Sequence, residues 1–316
     1  MKEEKVLPLK GNKFCETSKI FITVDDPDEF LQALDSFCKE AVSKKEELQA
    51  GADYKVAPAR PIEVTNGDAI LVVKNLTKRF GHVKAVTNLS LKVKKGEVYG
   101  FLGENGAGKT TTLKMVTGLL PPDAGVVIIG GNEVWGNGLE AKRLLGYAPD
   151  VPLVYERLTA EEFLVFIARL HGLDQADAER KTEGWLETFQ LREFKDELLS
   201  GFSLGMLRKI SLAAALIHSP ALVLMDEPLN GLDVRAARQV KDMIIQMRGQ
   251  GKGVLLTTHT LAVAQELCDR IGIISCGSLV AEGTYEELRE VAASGTANLE
   301  ELFLALTANR GGGHES

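Results

Sequence analysis

The chain has 316 residues, of which 45% are hydrophobic, and its formal net charge is −7 at pH 7. This length and apolar content suffice for a large core, so we expect a soluble globular domain with an appendage. The acidic balance argues against nucleic-acid partners and anionic lipid surfaces, because their binders concentrate Lys and Arg. No apolar run approaches the roughly 20 residues that cross a bilayer, and the first residues lack the hydrophobic centre of a signal peptide.

The four cysteines, Cys15, Cys38, Cys268 and Cys276, show no CxxC spacing. Cysteines that bind metal in pairs or act in redox reactions usually show CxxC spacing. We therefore expect reduced thiols in a cytosolic protein.

Residues 1–68 differ in sequence pattern from the rest of the chain. The pattern predicts a short strand at Lys19–Val24 and a helix at Asp25–Gly51. The helix has an apolar stripe, Asp26 is its candidate N-cap, and Gly51 can close it. The proline-bearing stretch Ala57–Pro61 resembles a linker. We predict a small α/β extension whose role the pattern does not reveal.

From Ile70 the pattern is rich in strands: AILVVKNLTKRF, VTNLSLKV and GEVYGFLG follow one another. The last leads into a glycine-rich loop and a predicted helix, Lys109–Leu119. Gly125–Gly131 then predicts an antiparallel strand that ends in a glycine turn.

The remainder predicts helices interrupted by two strands. The helices are Thr159–His171, Gln175–Phe189, Leu204–His218, Val234–Arg248, Thr284–Val291 and Leu299–Thr307, and the strands are Ala221–Met225 and Gly253–Thr257. Such alternation implies a mostly parallel central sheet with helices on its faces. The glycine-rich tail, residues 311–316, is predicted to be disordered.

The loop GENGAGKTT fits the GxxxxGK[ST] pattern that binds phosphates. Its glycines allow successive backbone N–H groups to turn toward an anion, and the following helix presents its N-terminus. Lys109 adds a charge toward the β and γ phosphates. The predicted nucleotide-binding residues are Gly103, Glu104, Asn105, Gly106, Ala107, Gly108, Lys109, Thr110 and Thr111.

Two acidic residues follow the apolar strand Ala221–Met225. Asp226, together with the Thr110 hydroxyl, can hold Mg²⁺, and Glu227 is then free to deprotonate water. A solvated acidic pair is the alternative, but four apolar residues before the pair and a proline after it favour the phosphate crevice. The sequence therefore predicts hydrolysis of ATP with Mg²⁺ as cofactor.

Three further motifs occur in a fixed order: FSLGM at Phe202–Met206, LNGLD at Leu229–Asp233 and TTHT at Thr257–Thr260. This order resembles the ATP-binding cassette family over roughly residues 70–307. The resemblance implies a P-loop NTPase cassette, residues 69–310, with a mostly parallel central sheet and an antiparallel β subdomain. It also implies a helical signature subdomain at about 150–218.

The resemblance also implies roles for single residues. Phe80 would stack on adenine, although a phenylalanine after a strand is often a core residue. His259 would contact the γ-phosphate, although a lone histidine is more often buried and capped. The signature residues Ser203, Leu204, Gly205 and Met206 would grip the phosphate bound to a second cassette. Leu204 and Met206 depart from the usual LSGGQ, but the serine and second glycine are present.

The resemblance implies an ATP-binding subunit that dimerises and drives a separate integral membrane permease, in the drug, ion or peptide export branch. A homodimer of this chain is compatible with the motifs present. The chain would then be cytoplasmic and attached to the inner face of the membrane through that permease. Two alternatives stay open. One is a soluble cassette that remodels nucleic acid or ribosomes. The other is a regulatory binding protein in which residues 1–68 act and nucleotide only gates them.

Asp150 stands where the family normally has glutamine. Aspartate can ligate magnesium through oxygen, so it joins Thr110 and Asp226 as a candidate metal ligand, but it is shorter and adds negative charge near the γ-phosphate. We predict that Asp150→Gln leaves ATP binding in place and preserves or raises turnover. Nucleotide titration and phosphate release by the purified variant measure the two effects. Complete loss of activity would show that the role of Asp150 is misjudged.

Overall fold

The computed structural model describes residues 68–136 and 138–291. The predicted extension before residue 68, the predicted helix Leu299–Thr307 and the tail lie outside the described residues. The division of the chain into an extension and a cassette therefore stays a prediction.

A four-stranded antiparallel sheet opens the described part. It contains β1 (Ala69–Phe80), β2 (Val83–Lys94), β4 (Ala124–Ile129) and β5 (Asn132–Glu133) in the order β2-β1-β4-β5. A two-residue connection joins β1 to β2, as is usual for antiparallel neighbours. The predicted antiparallel strand is confirmed as β4, and the sheet forms the expected antiparallel β subdomain.

A second sheet has six strands. These are β3 (Val98–Leu102), β6 (Leu145–Ala148), β7 (Leu222–Asp226), β8 (Gly253–Thr258), β9 (Arg270–Ser275) and β10 (Ser278–Gly283), in the order β10-β9-β3-β8-β7-β6. Every pair is parallel except β10 with β9. The residues of β3, β7 and β8 are all buried, which explains why these strands read as apolar runs. The predicted mostly parallel sheet is confirmed.

Eight helices occur in the described residues. They are α1 (Lys109–Val116), α2 (Leu139–Arg143), α3 (Ala160–Leu170), α4 (Gln175–Thr188), α5 (Leu204–Leu216), α6 (Val234–Gly249), α7 (Leu261–Leu267) and α8 (Tyr285–Val291), with short 3-10 turns at Arg192–Phe194 and Leu199–Gly201. The predicted helices within this part of the chain are confirmed to within a few residues at their ends. Helices α2 and α7 and strands β5, β6, β9 and β10 were not predicted. Helix α2 and strands β5 and β6 span only five, two and four residues, too few to show a period.

One hydrophobic core joins the two sheets to α1. Leu71 and Leu89 of the antiparallel sheet, Tyr99 and Phe101 of β3, and Leu113 of α1 are fully buried in the same cluster. Packing of this kind fixes β3 and α1 relative to each other. The loop between them is thus held at both ends.

The helical part around α3, α4 and α5 begins with a capping box. Thr159 accepts a hydrogen bond from the N–H of Glu162, whose side chain accepts one from the N–H of Thr159. Both bonds satisfy N–H groups that a helix start leaves free. No helix among the described residues has both the length and the apolar composition that a bilayer crossing requires.

Helix α5 packs closely on β6 at Gly146. A Cβ atom added there would lie 2.1 Å from the carbonyl oxygen of Ala215. We predict that Gly146→Ala lowers the free energy of unfolding by about 1 to 3 kcal/mol, the usual cost of overpacking. Gly184, inside α4, has no atom within 4 Å of such a Cβ. Gly184→Ala is the matched control and should stabilise by about 0.5 to 1 kcal/mol. Urea unfolding measures both; equal midpoints for the two variants would contradict the close packing.

Candidate nucleotide-binding site

The glycine-rich loop connects the end of β3 to the start of α1. Gly106 and Gly108 adopt left-handed backbone angles, with φ of 83° and 109°. A Cβ on Gly108 would lie 2.5 Å from the carbonyl oxygen of Ala85, whereas one on Gly106 would meet no atom within 4 Å. Gly108 is therefore required by the close approach of β2, and the loop is open to a ligand at Gly106.

The loop leaves the start of α1 free for an anion. Gly108 is the N-cap, and no side chain caps the helix. The first N–H groups of a helix have no partner within the helix and carry a partial positive charge. Glu104 and Asn105 are exposed on the loop, Ala107 is buried, and Thr111 is half-buried in the first turn of α1. The loop has the expected strand–loop–helix context, between β3 and α1, and its binding of phosphate stays a prediction.

Lys109 places its ammonium between the loop and the acidic strand end. Its side chain is only 6% exposed. The Nζ atom donates hydrogen bonds to the carbonyl oxygens of Gly103 at 2.6 Å and Glu104 at 3.2 Å, and it lies 3.6 Å from Oε1 of Glu227. The charge is thus fixed at the mouth of the loop.

Asp226 ends β7 and is only 2% exposed. Its Oδ2 accepts a hydrogen bond of 2.9 Å from the Thr110 hydroxyl, and its Oδ1 accepts one from the Thr257 hydroxyl. The structure therefore brings together Thr110 and Asp226, two of the three predicted magnesium ligands. Their hydroxyl and carboxylate oxygens are of the kind that Mg²⁺ prefers.

Glu227 has a left-handed backbone with φ of 49°. Its N–H donates to the Thr257 hydroxyl at 3.0 Å, and its Oε1 lies 3.0 Å from Nδ1 of His259. This oxygen is buried, and no described residue gives it a contact with full hydrogen-bond geometry. Such an atom is costly to bury unless a ligand or water completes it, so it fits the position of an attacking water beside a bound triphosphate.

Asp150 lies in the loop after β6, and its carboxylate pairs with Arg208 of α5 at 3.1 Å. The side chain is 43% exposed. Burial raises the pKa of the nearby Tyr147 phenol, and the Asp226 and Asp150 carboxylates raise it further, so the phenol stays protonated at neutral pH. The structure thus joins Asp150 to the signature helix, whereas Thr110 and Asp226 bond to each other.

The signature residues lie at the start of α5. Ser203 is exposed and caps the helix, its Oγ accepting a 3.3 Å hydrogen bond from the N–H of Met206. Leu204 is exposed, and a Cβ on Gly205 would meet nothing within 4 Å. Within residues 68–136 and 138–291, no hydrogen bond or ion pair joins this segment to the phosphate loop. The signature and the loop are therefore not brought together within one chain.

Phe80 stands at the end of β1 and is 50% exposed. The alternative of a core residue does not describe it. Lys78 holds its ammonium 5.7 Å from the ring centroid. The β1–β2 hairpin lies beside the phosphate loop, because Ala85 of β2 contacts Gly108. An exposed ring on this hairpin is available for stacking.

Two residues to which the sequence analysis gave no role of their own take part in the site. Thr257 bonds to Asp226 and Glu227, and Arg208 bonds to Asp150. A polar residue at the end of an apolar strand was a signal that could have identified Thr257. Arg208 gave no such signal, because charged residues are common on helices.

The fold and this site together define an ATP-binding cassette. Comparison with known proteins agrees: the family model described as ABC transporter matches residues 86–230. The chain is 37% identical over 219 residues to the linearmycin resistance ATP-binding protein LnrL of Bacillus subtilis (strain 168), covering 69% of this chain and 70% of that protein. It is 38% identical over 218 residues to the ABC transporter ATP-binding protein NatA of the same organism, covering 68% and 88%.

A solved structure described as the ATP binding subunit of an ABC transporter is 33% identical, with a TM-score of 0.71, and covers 75% of this chain and 99% of that one. The chain therefore belongs to the family of ABC transporter ATP-binding proteins. It binds ATP and hydrolyses it.

Thr257 offers a direct test of the site geometry. Thr257→Val keeps the shape but removes the hydroxyl, so Asp226 loses a donor and the N–H of Glu227 loses an acceptor. We predict that kcat for ATP hydrolysis falls about tenfold or more, since small displacements of catalytic groups cost this much. Thr257→Ser, which keeps the hydroxyl, should stay near wild type. Steady-state phosphate release measures both, and a fully active valine variant would contradict the bridging role.

Proposed function

We propose that this chain is the motor subunit of an exporter: two copies close on ATP, and their closure drives a separate membrane permease. The observation that carries the proposal is the incompleteness of the site in one chain. The phosphate loop, Asp226 and Glu227 meet at one place, while Ser203 and the N-terminus of α5 are exposed elsewhere.

The start of α5 is suited to a phosphate in a second copy. Helix N-termini attract anions, and the Ser203 hydroxyl can donate to a phosphate oxygen. The open space around Gly205 lets a phosphate approach the backbone closely. In a pair, each triphosphate would lie between the loop of one chain and the signature of the other. ATP would then favour the closed pair, and hydrolysis would release it.

In this proposal, each residue on the side of the phosphate loop has its own role. Lys109 neutralises phosphate charge, Glu227 takes a proton from the attacking water, and His259 orients Glu227 and contacts the γ-phosphate. The 3.0 Å approach of His259 to the buried carboxylate oxygen supports that arrangement. Phe80 stacks on the adenine ring.

Mg²⁺ would be held by Thr110 and Asp226, whose oxygens already lie together. When bound, the ion supplies positive charge that offsets charge on the phosphates. Asp150 is the weaker candidate ligand, because Arg208 occupies its carboxylate.

Export is supported by the relative LnrL, whose name records resistance to linearmycin. Removal of a compound from the cell is one way in which an ATP-driven transporter confers resistance. The permease would supply the substrate contacts and hold the cassette at the inner face of the membrane. We also propose that residues 1–68 form an extension separate from the cassette, residues 69–310. The net charge of −7 supports a partner other than nucleic acid.

The experiment is to purify Glu227→Gln and measure its mass in solution with Mg²⁺ and ATP. We predict a dimer, because the variant binds ATP but does not complete hydrolysis, so the closed pair persists. The matched control is the double variant that carries both Glu227→Gln and Gly205→Glu. A side chain at Gly205 has free space in the monomer. In the pair, however, its carboxylate would face a phosphate.

The double variant should bind a fluorescent ATP analogue and stay monomeric. A Glu227→Gln protein that remains monomeric at saturating nucleotide would contradict the homodimer. The membrane protein that copurifies with Glu227→Gln and ATP then identifies the permease.

A further inference from the structure

Arg208 is a largely buried residue of α5 whose guanidinium lies between two other parts of the site. Its Nη2 donates to Asp150 at 3.1 Å, in the loop after β6. Its Nη1 donates to the carbonyl oxygen of Asn230 and lies 3.5 Å from that of Glu227, in the turn after β7. One side chain therefore contacts both segments.

The guanidinium suits this position for a physical reason. Arginine presents several N–H donors in a rigid plane, so it can contact a carboxylate on one side and carbonyl oxygens on the other. The Arg208 side chain is 13% exposed. Because this side chain is largely buried and contacts both segments, we expect a movement of one segment to displace the other.

Glu227 is sensitive to such a movement. A non-glycine residue with a φ of 49° is held by its surroundings against a conformational cost. Its N–H is anchored by Thr257, and its carbonyl oxygen accepts a 3.1 Å hydrogen bond from the N–H of Asn230. Arg208 contacts the carbonyl oxygens of both Glu227 and Asn230. It therefore helps to hold the turn that orients the Glu227 carboxylate.

We propose that Arg208 is a positioning residue for ATP hydrolysis: it ties the loop that carries Asp150 to the turn that orients Glu227. A displacement of that loop then moves the carboxylate that activates water. This inference rests on the proposed function, in which Glu227 is the base. It goes beyond that function because it assigns Asp150 an arginine partner and a coupling role.

A purely structural salt bridge would behave differently. The Asp150 carboxylate is 43% exposed, and ion pairs with an exposed partner add little to stability. Removal of the Asp150 end of the pair, as in Asp150→Ala, should therefore leave the unfolding midpoint nearly unchanged. The effect should appear in kcat, because catalysis depends on where Glu227 lies.

The test measures kcat, the affinity for a fluorescent ATP analogue and the urea midpoint of the full-length chain. We expect Arg208→Gln to lower kcat about tenfold or more, since a shift of about 1 Å can cost up to a hundredfold. The affinity should stay within about twofold, because no phosphate contact is lost. Lys209→Gln is the matched control. Lys209 is the next residue on the helix and donates to the Phe189 carbonyl oxygen at 3.2 Å, so its loss should leave kcat unchanged.

Two further variants test whether the bridge itself carries the effect. Arg208→Lys keeps the charge but replaces the planar fork with one ammonium, so it should remain impaired. Asp150→Ala removes one end of the bridge and should lower kcat less than Arg208→Gln does. The double variant should match Arg208→Gln alone, because residues that act through one contact are not additive.

Three results would overturn the inference. They are a kcat for Arg208→Gln within about twofold of wild type, full recovery in Arg208→Lys, and a double variant whose loss is the product of the two single losses. Glu227→Gln distinguishes these results from a failure of the proposed function. If Glu227→Gln is inactive while Arg208→Gln is active, only the inference fails. If Glu227→Gln keeps wild-type kcat, the proposed base is wrong.

Discussion

The burial of Asp226 is the constraint on which the site depends. A carboxylate this deeply buried is unfavourable unless donors satisfy it, and Thr110 and Thr257 supply them. Thr110 belongs to α1 and Thr257 to β8. The parallel register sets Leu102 beside Thr258 and Asp226 beside Thr257, so three strands end at one edge of the sheet. The phosphate loop, the acidic pair and the histidine after β8 meet there for that reason.

The same fold separates the two halves of the proposed ATP site. The packing of α5 on β6 leaves the start of that helix exposed, so its signature residues have no phosphate loop of their own to contact. A switch follows from this separation, because a nucleotide that contacts both halves stabilises a pair and its hydrolysis removes the contact. Family membership supports this interpretation. Neither a cassette that remodels nucleic acid nor a regulatory protein acting through residues 1–68 gains support from the comparisons.

Asp150 is the main departure from the family pattern, and the structure gives it a physical context. Its charge is paired with Arg208, and Arg208 also contacts the turn after β7. The aspartate at the usual glutamine position is thus part of a chain of contacts that ends at Glu227. In our proposal, coupling between this loop and Glu227, the proposed base, depends on the placement of one guanidinium, and its strength depends on burial of that group.

The sequence by itself determined the phosphate loop, the acidic strand end, the mostly parallel sheet and most helices. These features depend on neighbouring residues, glycine conformations and short periods, which a sequence displays directly. Tertiary structure alone decided the left-handed backbone of Glu227, the double role of Thr257 and the pairing of Asp150 with Arg208. Each depends on strand register or helix packing between segments about 30 or more residues apart, and local patterns do not encode such register.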